Sequence, residues 1–127
     1  KIQNRAMRII LECAPRTHIT DMLDTIKWMS IKQRFFYNHC ILIWKITNKK
    51  TPDYLISLFT RSTSIHSYNT RSASAGNFYL RKSHPNSLYA TGAKIWNTLP
   101  QHIRDTQSLY SFKKKVAIYV FSNIEPF

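Results

Sequence analysis

Glycine is almost missing from this chain, at 2 of 127 residues. Tight two-residue hairpins, Gly-rich phosphate loops and most β-sandwich or barrel designs depend on positive-φ positions, so the shortage argues against all three and favours helices. Cysteine is equally scarce. Cys13 and Cys40 are too few for a disulfide framework and form no Cys-x-x-Cys pair, which fits an intracellular, reducing setting in the nucleus or cytoplasm. Long apolar runs are lacking too: residues 35–46 are interrupted by Asn38, His39 and Lys45. A membrane span would need ~18 uninterrupted apolar residues. There is no signal-peptide pattern, and the chain opens on Lys1 with a helical pattern at once, as expected of a piece of something longer.

Acid is the next deficit. Six Asp and Glu stand against 19 Lys and Arg, for a net charge of +13. Two-metal phosphoryl transfer needs clustered carboxylates, and Glu12, Asp21, Asp24, Asp53, Asp105 and Glu125 are scattered. Asp21 and Asp24, at i, i+3 spacing, read as solvated acids near a helix start. The chain alone is therefore expected to be non-catalytic. No cofactor and no metal site is expected either, since the only finger-like spacing is a loose Cys13-x4-His18. His39 reads as a hydrogen-bonded core histidine. Cys40 beside it points about 100° away on a helix, so it reads as a small buried residue rather than a nucleophile.

What is present is apolar and aromatic surface, 43% and 13% of residues. That is too much for a disordered basic tail. The length suits one domain, residues 1–127, mostly α, with about five to seven helices. Three parts are expected within it: a helical half over residues 1–59, an irregular basic segment over 60–89, and C-terminal helices over 90–122.

Ile2, Ala6, Ile9, Ile10 and Cys13 share a helix face, with Lys1, Arg5 and Arg8 forming a basic strip beside it. That helix should reach about Cys13 and end before Pro15. Thr20 can cap a short second helix through Met22, Leu23 and Ile26. Ser30 starts the longest helix, about residues 31–48, whose polar residues Arg34, Asn38, Lys45 and Lys49 form one narrow stripe. A helix apolar on most sides belongs in the centre. Thr51-Pro52-Asp53 offers a hydroxyl cap, Pro at the first helical position and an acid in the first turn. Periodicity then stops, and Phe78-Tyr79-Leu80 is the one strand candidate of the irregular segment. Helical pattern returns over residues 90–96, Pro100 suits a short helix holding Ile103, and Ser108 can cap a last helix carrying Leu109, Phe112, Val116, Tyr119 and Val120.

The ordered set Gln3-Asn4-Arg5-Ala6, Ser67-Tyr68-Asn69-Thr70-Arg71-Ser72, Gly92-Ala93-Lys94-Ile95-Trp96-Asn97-Thr98-Leu99-Pro100, Ile103-Arg104 and Ser108-Leu109-Tyr110-Ser111-Phe112-Lys113-Lys114-Lys115 is quite specific. It resembles the C-terminal region of reverse transcriptases of non-LTR retrotransposons of the LINE type, in the broad group with Jockey-like elements. The resemblance spans nearly the whole chain. It implies a segment after the palm, including or following the thumb, of an RNA-directed DNA polymerase. The upstream polymerase domain of the same polyprotein is then an implied partner. The family's paired Asp-Asp motif is absent here.

Residues 54–104 carry six cations and no carboxylate: Arg61, Arg71, Arg81, Lys82, Lys94 and Arg104. Arg71, Arg81 and Lys82 are interleaved with Tyr68, Phe78 and Tyr79. Cations for phosphates beside flat rings for stacking suit RNA or single-stranded DNA held by its backbone. The competing reading is that Phe78 and Tyr79 pack the loop down while the arginines stay solvated. Nucleic-acid contact is assigned to Arg5, Arg8, Arg71, Arg81, Lys82, Tyr68 and Tyr79. Lys113, Lys114 and Lys115 fan over about 200° of helix and read as solvated surface. Trp96 reads as a core anchor. A segment that only buttresses the polymerase core is the alternative, and a basic amphipathic helix on anionic lipid is a third.

Overall fold

Eight α-helical segments and one 3-10 turn are found among the described residues of a computed structural model of the chain. It describes all residues except His66, Ser67, Asn69, Arg81, Ser83 and Asn86, and all side chains of those except Ser72. The helices are α1 (Ile2–Leu11), α2 (Ile19–Ile26), α3 (Ile31–Thr47), α4 (Asp53–Leu58), α5 (Arg71–Ser74), α6 (Leu88–Thr98), α7 (Gln101–Arg104) and α8 (Leu109–Asn123), with the 3-10 turn at Ser62–Ser64. α5 and α7 are single turns of four residues each, which leaves six longer helices. Among the described residues there is no strand, only an isolated antiparallel bridge between Arg61 and Phe78. The domain is all-α, as its composition requires.

α3 is central. It starts with a capping box in which the Gln33 amide N–H donates to the Ser30 hydroxyl and the Ser30 N–H donates to the Gln33 side-chain oxygen. α6 and α8 pack on it from two sides. Cys40, Ile43, Trp44 and Ile46 of α3 meet Ala93 and Trp96 of α6, and Phe112, Val116 and Val120 of α8. The Trp44 indole N–H donates to the Thr106 carbonyl at 2.8 Å, so the one polar atom of that ring is satisfied. Gly92 is where α6 comes nearest: a Cβ there would stand 2.8 Å from Ile43 Cδ1. Only hydrogen fits without movement.

Several local expectations need correction. α1 ends at Leu11 rather than Cys13, because Glu12 turns into the left-handed region at φ 48°. Its inward line is the buried Met7 flanked by the half-buried Gln3 and Leu11, about a third of a turn from the isoleucines. Ile2, Ile9 and Ile10 are 88%, 69% and 57% exposed. The reason is that α1 packs on α2, a helix of eight residues, and Met7 fills the site formed by Met22 and Leu23. α2 is N-capped at His18, not Thr20, whose hydroxyl contacts the His18 ring. Pro52, not Thr51, is the N-cap of α4, and the Thr51 hydroxyl is buried with no partner. Ser108 holds the N-cap position of α8 without a side-chain cap bond. His39 is half-buried and bonds the Phe35 carbonyl of its own helix.

Candidate nucleic-acid interface

The basic segment is held down by the residues that follow it in sequence. Thr60 and Ser62 pair with the backbone around Phe78: the Ser62 N–H donates to the Asn77 carbonyl at 3.0 Å, and the Tyr79 N–H to the Thr60 carbonyl at 2.9 Å. The other edge of Phe78 has no strand beside it. There the Asn97 carboxamide takes a strand's place, accepting from the Phe78 N–H and donating to its carbonyl, both at 2.9 Å. Backbone groups this far from water need such partners. The Phe78 ring is buried against Phe59 and Trp96, at centroid distances of 5.2 and 6.2 Å. Phe78 thus packs the loop down and is not free to stack on a base. Tyr79, one residue on, points the other way and stays exposed, while its carbonyl accepts from the Tyr89 hydroxyl.

A cavity of about 460 Å³ opens beside this ladder, lined by Ser62, Thr70, Asn77, Phe78, Tyr79, Leu80 and Asn97. Thr70 caps α5 through the Ala73 N–H at 3.1 Å, which sets Arg71 at the first helical position with its side chain exposed. Tyr68 and Lys82 are exposed as well. Thr70 and Tyr79 line the cavity, and Arg71 follows Thr70 directly in the chain. Arg81, assigned with them from sequence, lies outside the described residues. Arg5 is exposed on α1, and Arg8 is half-buried with its Nε unpartnered. Both ride on the separate α1–α2 cluster.

Two arginines were counted from sequence but given no role. Arg104 reaches back from α7 to donate to the Asn77 side-chain oxygen at 2.7 Å, and Arg61 lies across the same cleft. Burial pushes the Arg104 pKa down, partly opposed by Asp105. The sequence signal for Arg104 was its place in the Ile103-Arg104 block. On α8 the lysines behave as read: Lys113, Lys114 and Lys115 are exposed, and Lys114 lies over the Tyr110 ring, 4.5 Å from its centroid.

Cys40 is fully buried, and desolvation pushes its thiol up to about 12, which goes with a small buried residue and against a nucleophile at neutral pH. Among the described residues no group of three His, Cys, Asp or Glu could hold a metal ion, and no helix is long and apolar enough to cross a membrane. Comparison of the chain with protein-family models, with curated proteins and with solved structures gives no significant match.

Proposed function

We propose that this chain is the post-palm C-terminal region of a reverse transcriptase of the LINE type, non-catalytic by itself, which helps hold an RNA template or primer duplex by its backbone. The carrying observation is that the motif residues Asn97 and Arg104 fasten the carboxylate-free basic segment to the helical core at Asn77 and Phe78. Arg71, Tyr79 and Lys82 are left exposed, and Tyr79 lines the cavity together with the hydroxyls of Ser62 and Thr70 and the amides of Asn77 and Asn97. Cations, hydroxyls, amides and a flat ring are what a sequence-tolerant strand site uses. Residence in the nucleus or cytoplasm goes with this role.

Fluorescence anisotropy with a labelled RNA hairpin and with an RNA–DNA duplex tests it. Binding that ignores sequence and weakens steeply with salt supports the reading. No binding at low salt sinks it.

One observation favours a second reading, in which the chain buttresses the upstream polymerase domain. Ile2, Ile9 and Ile10 form an exposed apolar patch on α1, and such patches on a soluble domain mark contact surfaces. Co-purification of the chain with the upstream polymerase region, lost in an Ile2, Ile9 and Ile10 triple Ser variant, distinguishes it.

A further inference from the structure

Between the Arg61 bridge and α7 lies a second cavity, of about 170 Å³, whose exposed lining is mostly polar. Arg61 and Arg104 both line it, with the amides Asn48, Gln101 and Gln107 and one carboxylate, Asp105. Asp105 is already engaged as the acceptor from Gln101 Nε2 at 2.7 Å. Arg104 is half committed: one terminal nitrogen is spent on Asn77, while its Nε is buried without a partner. A guanidinium fork matches a tetrahedral oxyanion.

Gly76 lines the same cleft at φ 66°, with space for a Cβ 3.9 Å from an Arg61 terminal nitrogen. Arg61 and Thr47 also line the adjoining cleft that holds Lys49. The cations thus run in the order Arg104, Arg61, Lys49.

We propose that the Arg61–Arg104 cleft is a phosphate pocket that takes one phosphodiester group of a bound nucleic-acid strand, with Lys49 continuing the track. The volume fits: ~30 Å³ per water gives room for about five or six waters, comparable to a phosphate group with its oxygens. Two guanidiniums against one carboxylate leave the site a net positive charge, which gives it its anion preference. This inference rests on the nucleic-acid reading above and names a contact that reading does not contain.

The test has two arms. In the first, inorganic phosphate is titrated into the ¹⁵N-labelled chain at constant ionic strength. The Arg61 Nε–H and the side-chain amides of Asn48 and Gln101 should shift saturably, and an equivalent chloride series should leave them in place. Equal shifts in chloride, or phosphate shifts spread over Arg5 and Lys113 alike, overturn the pocket.

In the second arm, RNA affinity is measured across a salt series for wild type and Arg61→Gln. Arg61 is exposed and the substitution leaves its backbone bridge intact, so the fold should hold. One lost phosphate contact should lower the log–log slope by about 0.7 on a single strand. If wild-type chain binds RNA and Arg61→Gln has the wild-type slope, the pocket is wrong while the proposed function stands. If wild-type chain binds no RNA, the proposed function fails and the strand pocket with it.

Discussion

Asn97 is hydrogen-bonded to both backbone groups of Phe78, 19 residues earlier in the chain, and so serves as a one-residue strand. The asparagine comes from a helix, yet it completes a ladder. Its neighbour Trp96 packs on the ring of the same Phe78, so two adjacent motif residues hold one residue of the basic segment by its backbone and by its side chain.

Asn97→Ala should therefore loosen this segment specifically. Each orphaned backbone group costs about 1 to 3 kcal/mol, and a loss of about 2 to 4 kcal/mol is expected in chemical denaturation. Asn97→Asp should do no better, because its second oxygen would face the Phe78 carbonyl. Amide exchange at Phe78 should rise sharply in both variants. An unchanged denaturation midpoint for Asn97→Ala would show that the clamp is incidental.

Trp96 and Phe112 are core residues, their ring centroids 6.2 Å apart and both buried. Truncating either to Ala should cost about 3 to 5 kcal/mol. Thermal melting reads the effect directly. A Trp96→Ala variant that melts normally but has lost RNA binding would move Trp96 from the core to the stacking surface.

At Gly92 two effects oppose. Gly92→Ala gains about 1 kcal/mol of helix propensity and overpacks the α3–α6 contact at a cost of about 1 to 3 kcal/mol. The nearest atom is Ile43 Cδ1, the mobile tip of a side chain, so a net loss under about 2 kcal/mol is expected. Ile43→Val removes that atom. The double variant should be more stable than the two single effects add up to, and strict additivity would contradict the assigned contact.

The two thiols should separate by chemistry. Cys13 is half-buried with its sulfur 3.5 Å from Met22 Sδ, whereas Cys40 is buried with its pKa raised from 9.0 to about 12. Alkylation at pH 8 should label Cys13 and spare Cys40 in the folded chain. Because the folded pKa lies above the unfolded one, the neutral thiol's contribution is complete below about pH 9 and is lost as pH rises toward about 12. Wild type should therefore lose stability more steeply over that range than Cys40→Ala. Equal labelling of both cysteines in the folded chain contradicts the burial.

The elements most legible in sequence were those whose pattern and packing agree. The central α3 was marked by its apolar circumference and by Ser30, and the Phe112, Val116 and Val120 stripe of α8 by its spacing. α1 was misread because its isoleucines are better hydrophobes than Met7, and only the position of α2 decides which line is covered. The basic segment was located, but not its clamp. Nothing local in the sequence says that Asn97 bonds Phe78 or that Arg104 bonds Asn77, since those contacts span 19 and 27 residues. For the same reason Arg61 and Arg104 were counted as charges rather than as a pair.

The central claim is that the basic segment contacts phosphate, and the salt dependence of RNA affinity tests it most directly. Changing Arg71, Arg81 and Lys82 together to Ala should lower the log–log slope by roughly 2 to 3 on duplex or single strand. Arg71 and Lys82 are exposed, and exposed cations add little stability, so the fold should be retained. The same change at Lys113, Lys114 and Lys115 should remove about one contact at most, because the helix fans them apart. A wild-type slope in the Arg71, Arg81 and Lys82 variant would contradict the account and leave the chain as a buttress.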